Sequence, residues 1–194
     1  VAIGNIDKQE ESKQKDRFQE VDIDSLQLVR PRSVGIENLG LSAINELSLP
    51  SILAGLGFNK AQIAAVTGSI IGRMAEPGSE LSTWHYLQNR SGIGELIDYD
   101  FGSMPLMQLY RASDRLIGHQ KKIENALFLH IKNLFCLPAT VTLYDLTNTF
   151  FEGKVKDNRK AHHGHSKEKR TDCPLLTLGL VLDGSGFVKR SQVF

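Results

Sequence analysis

The spacing of apolar residues changes from helical to strand-like at Ala139. Upstream of it, apolar residues recur at intervals of three and four, which predicts an all-helical region of five or six amphipathic helices over residues 41–135. Downstream, Thr140–Asp145 and Leu175–Leu182 are rich in β-branched and apolar residues, which favour strands. A chain with helices first and strands afterwards is expected to be α+β (or α/β).

Capping and turn residues divide the helical region. The residues expected to begin or end helices are Pro50, Gly57, Asn59, Ser79, Pro105 and Gly118. Gly118 in particular is expected to separate two helices at the end of the region. No helix divided in this way carries a dense face of Arg, Lys, Asn and Gln, so the pattern leaves a helix-turn-helix contact with DNA bases open without favouring it.

The strand region is expected to contain a β-hairpin. The uninterrupted apolar run of Leu175–Leu182 is typical of a central strand buried on both faces. Asp183–Gly186 is a turn signal, and Phe187–Phe194 is expected to return as the next strand. Asp183 is assigned to the turn rather than to a metal site, because aspartate commonly hydrogen-bonds the backbone of turns.

Asp145 is a single acidic residue at the expected C-terminal end of the strand Thr140–Asp145. A carboxylate at the end of a buried strand is unfavourable unless it is solvated, paired or bound to a metal ion. Asp145 is therefore a candidate catalytic and metal-binding residue, with a turn-forming aspartate as the alternative.

The segment after this strand is a basic loop over residues 154–170. Its cations are Lys154, Lys156, Arg159, Lys160, Lys167, Lys169 and Arg170, against the two acids Asp157 and Glu168. Such a cluster suits the DNA backbone, which attracts cations without sequence preference, although a solvated loop has the same composition. A zinc site formed by His162, His163, His165 and Cys173 is a weaker alternative, because this spacing matches no compact zinc motif.

Two segments, YDLTNTFFEG at Tyr144–Gly153 and AHHGHSKEKRTDCPLLTLGLVLDGSGF at Ala161–Phe187, together closely resemble the catalytic domain of bacterial insertion-sequence DDE transposases. The helical region resembles the N-terminal part of that family more loosely. The resemblance implies the first strands of a ribonuclease-H-like mixed sheet, with Asp145 as the first of three carboxylates that bind Mg²⁺ or Mn²⁺.

The resemblance also implies a domain organisation. Residues 1–33 form a charged, partly disordered segment, residues 34–137 a helical region for DNA-end binding or dimerisation, and residues 138–194 an incomplete start of the catalytic domain. The family's second Asp and its Glu would lie beyond Phe194, so the chain is expected to be inactive alone and to bind no metal tightly. The alternatives are a truncated remnant that binds DNA or a full-length partner, and a different nuclease of the ribonuclease-H fold.

Composition limits the setting in which the protein acts. The net charge is +1, there are two cysteines, and no apolar run approaches the ~20 residues that span a bilayer. These features predict a cytoplasmic protein without a membrane partner. The resemblance to transposases implies in addition that the protein associates with the nucleoid. The expected partners are double-stranded DNA, as element ends and target, and a second copy of the chain as a homodimer.

Overall fold

A computed structural model of the chain describes residues 31–135, 143–150, 155, 158–164 and 171–194, with side chains in the first strand from residue 146 onward. Ser33–Phe194 form one compact unit. Within it, α-helices precede a sheet whose described strand pairings are all antiparallel, in agreement with the expected α+β class. The domain division at residues 137 and 138 stays a prediction, since both residues lie outside the described part of the chain.

The helical prediction is confirmed. The α-helices within the described residues are α1 Gly35–Glu46, α2 Leu49–Gly55, α3 Lys60–Ala75, α4 Glu80–Asn89, α5 Ile93–Ile97 and α6 Leu106–Leu134. A 3-10 turn, Phe101–Ser103, lies between α5 and α6.

Three of the expected helix boundaries are confirmed. The Asn59 side chain accepts a hydrogen bond from the Gln62 amide at 2.9 Å, while the Gln62 side chain accepts one from the Asn59 amide. This reciprocal pair satisfies two free amides at the start of α3. Ser79 caps α4 through the Ser82 amide at 3.2 Å, and Gly57 follows α2 with a φ of +82° that favours glycine.

The sequence pattern predicts that Pro50 ends the first helix and that Pro105 lies in the first turn of the last one, and both placements are wrong in detail. Pro50 does not end α1 but lies in the first turn of α2. Proline is tolerated there because backbone N–H groups in the first turn of a helix have no hydrogen-bond partner within the helix. Pro105 is the N-cap residue of α6 and not a residue of its first turn.

The prediction that Gly118 ends a helix is also wrong. Helix α6 continues through Gly118 for 29 residues, or about 43 Å at 1.5 Å per residue. A glycine inside a helix costs about 1 kcal/mol relative to alanine. Burial of Leu109 and Ile123 on either side of Gly118 outweighs this cost, because both side chains pack into one core.

That core lies among the helices. Its fully buried apolar side chains include Leu53, Val66, Ile71, Ile93 and Leu109, none of which exposes any surface. In the described part of the sheet Leu175 is the one buried apolar residue, and Cys173 is buried directly before the strand that carries it. The folded core is therefore mainly helical.

The strands are β1 Leu143–Phe150, β2 His162–His163, β3 Pro174–Leu182 and β4 Val188–Val193. Strand β3 pairs antiparallel with each of the other three, and the predicted β3–β4 hairpin is confirmed. Burial of β3 on both faces is not observed, because its residues after Leu175 are half-buried.

Strand β1 extends further than expected. It continues to Phe150, so Asp145 is its third residue and not the last residue of a strand. Thr147, Thr149 and Phe150 prefer an extended backbone, which explains the continuation. Residues 140–142 of the predicted strand lie outside the described residues.

Candidate nucleic-acid interface

The backbone of Asp145 is held within the sheet. Asp145 pairs with Leu180 of β3, and Leu180 pairs in turn with Ser191 of β4. The three residues therefore share one rung across three strands. The side chain of Asp145 lies outside the described part of the structure, so its metal-binding role stays a prediction.

The described residues contain no group of three or more His, Cys, Asp or Glu side chains that could hold a metal ion. His162 and His163 of the alternative zinc site are exposed on β2, Cys173 is buried, and His165 lies outside the described residues. The arrangement of these described side chains does not support a metal centre.

Asp183 has the turn role that was expected of it. Its Oδ1 atom accepts hydrogen bonds from the Ser185 and Phe187 amides, both at 2.9 Å, and the residue is 1% exposed. Gly186 completes the turn with a φ of +87°. These contacts hold the β3–β4 connection in place.

Two cations of the basic loop, Arg159 and Lys160, are described, and both are exposed. Lys160 Nζ donates a hydrogen bond to the Val193 carbonyl oxygen at 2.7 Å, which attaches the loop to β4. The other proposed DNA-binding cations, Lys154, Lys156, Lys167, Lys169 and Arg170, lie outside the described residues.

Side chains of α6 satisfy the outward backbone groups of β4. Glu124 Oε1 accepts a hydrogen bond from the Ser191 amide at 3.2 Å and a second one from the Ser191 hydroxyl. Gln120 Nε2 donates to the Ser191 carbonyl oxygen at 3.2 Å and to Glu124 at 2.9 Å. The helix therefore takes the place of a neighbouring strand along this edge, together with Lys160 at Val193.

A cleft of 1140 Å³ lies between α6 and the sheet. Its exposed apolar residues include Ile117, Leu146 and Phe194, whose exposed fractions are 72%, 57% and 57%. An open apolar cleft of this size beside cations is a candidate binding surface.

Cations from three separate parts of the chain meet at this cleft. They are Lys121 of α6, Lys160 of the basic loop and Arg190 of β4, with Glu124 as the one acid in the lining. The Arg190 guanidinium donates to the Lys121 carbonyl oxygen at 3.1 Å and lies 3.9 Å from a Glu124 oxygen. The sequence pattern identified Lys160 alone, because Lys121 and Arg190 lie far from the loop along the chain.

A buried carboxylate lies among the helices, away from this cleft. Glu37 of α1 exposes none of its surface and accepts hydrogen bonds from the hydroxyls of Ser33, Tyr86 and Ser91. Burial alone would raise the pKa of Glu37, but these hydrogen bonds and one from its own backbone hold the pKa below its usual value. No sequence motif marked this residue.

None of the described helices combines the length and apolar character that crossing a membrane requires. Comparison with protein-family models, with curated proteins and with solved structures finds no significant match.

Proposed function

We propose that this chain is part of a DDE transposase that binds DNA and takes part in metal-dependent phosphodiester cleavage and strand transfer during DNA transposition. The proposal rests on the resemblance of Tyr144–Gly153 and Ala161–Phe187 to that family. The antiparallel order of β1, β3 and β4 supports it, because a ribonuclease-H-like sheet is expected to open with adjacent strands of this kind.

Asp145 is the residue that we propose as a catalytic Mg²⁺ or Mn²⁺ ligand. Its backbone lies inside a paired strand, which limits the movement of the residue. In two-metal enzymes, bound divalent ions stabilise both the attacking and the leaving oxygen of a phosphodiester. Carboxylate oxygens are the ligands that such ions prefer.

The observation that carries the DNA-binding part of the proposal is the meeting of Lys121, Lys160 and Arg190 at one cleft. Three cations against one acid leave a local excess of positive charge. Cations of this kind bind the phosphate backbone regardless of sequence, with an affinity that falls as salt rises. The sheet that carries Asp145 forms one wall of the same cleft.

A second candidate function is DNA binding without cleavage, as a remnant that pairs with DNA or with a full-length copy. The cationic cleft favours it as much as it favours a transposase, because the cleft requires no metal site. A third candidate function is that of a different nuclease with the ribonuclease-H fold.

The basic loop tests the DNA-binding proposal directly. Replacing Lys167, Lys169 and Arg170 by Ala is expected to weaken binding to duplex DNA for all sequences. The slope of log affinity against log salt is expected to become shallower by about 0.9 per lost phosphate contact. Fluorescence anisotropy with labelled duplexes measures both quantities. Unchanged affinity and slope would contradict a role for the loop.

The control for this experiment removes three cations elsewhere. Lys60, Arg73 and Arg90 lie on or beside α3 and α4, and each pairs with an acid on the helical surface. Their replacement by Ala lowers the net charge by the same amount as the loop variant. A loss of affinity that is equal in both variants would show a general charge effect instead of a specific DNA-binding loop.

A further inference from the structure

The uninterrupted course of α6 aligns cations that the expected break at Gly118 would have separated. At 3.6 residues per turn, the cations Arg111, Lys121, Lys122 and Lys132 fall on one side of the helix, opposite the buried Leu109 and Ile123. The first three are exposed and Lys132 is half-buried. We refer to this side of α6, which also carries Asp114, Gly118 and Asn125, as the basic face.

The charge of the basic face is not neutralised within the described part of the chain. None of the ion pairs among the described residues involves Arg111, Lys122 or Lys132. Asp114 is the single acid on this face, against four cations. Arg111 and Lys132 are 21 positions apart, which corresponds to about 32 Å along the helix axis. This length is close to one turn of a DNA duplex, about 34 Å.

Gly118 lies in the middle of the basic face, and helix packing does not require it. A Cβ atom at this position would have no other atom within 4 Å. The glycine therefore lowers helix stability relative to alanine without any gain in packing. A glycine on an exposed helix face does, however, allow another backbone to approach closely.

We propose that the basic face of α6 is a second DNA-binding surface, which contacts the phosphate backbone of duplex DNA and approaches it most closely at Gly118. This inference rests on the proposed DNA binding and extends it from the cleft to the outer side of the helix. Lys121 belongs to both surfaces, because it also lines the cleft.

The first test uses cations that do not line the cleft. The variant Arg111→Ala/Lys122→Ala is expected to weaken duplex binding and to reduce the salt slope by about 1.8, or 0.9 for each lost contact. The matched control is Lys60→Ala/Arg73→Ala, which removes two cations from α3 and is expected to bind more tightly than the test variant. Equal affinities and slopes for the two variants would overturn the proposal.

The second test uses Gly118→Ala, for which stability and binding are expected to change in opposite directions. Alanine is expected to raise the melting temperature, because it favours the helix. It is expected to lower the affinity for duplex DNA, because the added methyl group keeps the phosphate backbone away. Higher stability with unchanged affinity would show that DNA does not approach the helix at Gly118.

Two further outcomes separate this inference from the proposed function. If the loop variant loses affinity while the Arg111/Lys122 variant and Gly118→Ala do not, the basic face is excluded and DNA binding through the loop remains. If the unaltered chain binds no duplex, the proposed function itself fails. Tighter binding of single-stranded RNA than of duplex DNA through Arg111 and Lys122 would overturn the choice of duplex DNA as the partner.

Discussion

At the scale of single residues, Glu37 shows how a buried charge is held without a cation bonded to it. Three hydroxyl groups donate to its carboxylate, and they come from residues as far as 54 positions away. Arg90, a cation beside this network, lies over the Tyr86 ring at 5.4 Å and pairs with Glu76. This arrangement depends on helices brought together by folding, so no local pattern in the sequence could predict it. The turn role of Asp183 was predictable, because its partners are two and four residues away.

The lowered pKa of Glu37 predicts a loss of stability in acid. Above the usual value of 4.5 the carboxylate is ionised in both folded and unfolded chains, and its hydrogen bonds contribute fully. As the pH falls through the lower pKa of the folded state, this contribution is lost. When urea unfolding is measured from neutral to acidic pH, the unaltered chain is expected to lose the part of its free energy of unfolding that depends on ionised Glu37. The variant Glu37→Gln is expected to show no such loss. Exposed Glu46 provides the control, since Glu46→Gln should lose stability in acid to the same extent as the unaltered chain.

Tyr86→Phe tests the same network without changing a charge. It removes one hydroxyl donor from a buried carboxylate, which is expected to lower the free energy of unfolding by about 1–3 kcal/mol. Tyr110→Phe, at an exposed position on α6, is the matched control and should leave stability unchanged. Equal stability of the two variants in urea unfolding would show that the hydroxyl of Tyr86 contributes little.

Replacement of Asp145 by asparagine is expected to remove metal binding selectively, without a comparable loss of DNA binding. In a Mn²⁺ titration followed by NMR, the amide signals of Leu146 and Leu180 should broaden before that of Leu109. Asp145→Asn should abolish this selectivity and leave DNA binding nearly intact, because asparagine keeps the size of the side chain and loses the charge that attracts the ion. The control Asp114→Asn removes an exposed acid from α6 and should leave the selective broadening unchanged. Selective broadening that survives in Asp145→Asn would assign Asp145 to a packing role.

At the scale of elements, the contact between α6 and β4 depends on polar side chains. Glu124 and Gln120 together satisfy the amide and the carbonyl oxygen of Ser191. Near the end of the helix, Phe135 stacks on Phe187 with ring centroids 5.1 Å apart. Helix periodicity predicts that α6 has a buried apolar side, but it could not predict which of its polar residues meet the sheet. That choice depends on where α6 and the strands come together in space.

Glu124→Ala is expected to leave the Ser191 amide without its partner. Because Ser191 is only partly buried, the loss of stability is expected at or below the low end of the about 1–3 kcal/mol that a buried donor without an acceptor costs. Hydrogen exchange at Ser191 should accelerate more than exchange at Leu180. Asp114→Ala removes an exposed carboxylate from the same helix and should change neither quantity. Unchanged protection of Ser191 in Glu124→Ala would show that Glu124 does not hold the Ser191 amide.

At the scale of the whole molecule, the distribution of buried residues predicts unequal stability. Nearly all fully buried apolar side chains belong to the helices, while β3 is half-buried after Leu175. Segments with few buried apolar contacts open more readily. In hydrogen exchange measured by mass spectrometry, peptides from 143–150 and 174–193 are therefore expected to exchange faster than peptides from 60–75 and 106–127. Slower exchange in the sheet would contradict a mainly helical core.

The sequence predicted the order of helices and strands well, because periodicity and turn residues are local signals. It failed where a long-range contact outweighed a local preference. Gly118 remains helical because residues on both sides of it pack into the core. The extension of β1 through Phe150 instead follows the local strand preference of Thr147, Thr149 and Phe150, which the expected strand end at Asp145 did not take into account. The cleft was beyond prediction, since its three cations come from a helix, a loop and a strand.

The side chains along β4 also affect how copies of the chain would meet edge to edge. The outward groups of Ser191 and Val193 are already occupied by α6 and Lys160, while β1 pairs only with β3 among the described strands. A sheet with two open edges can grow into a fibril, whereas one with a single open edge stops after one partner. Edge-to-edge association along β4 is therefore blocked, so the residues that fasten the helix to the sheet would also limit amyloid-like growth on this side of the sheet.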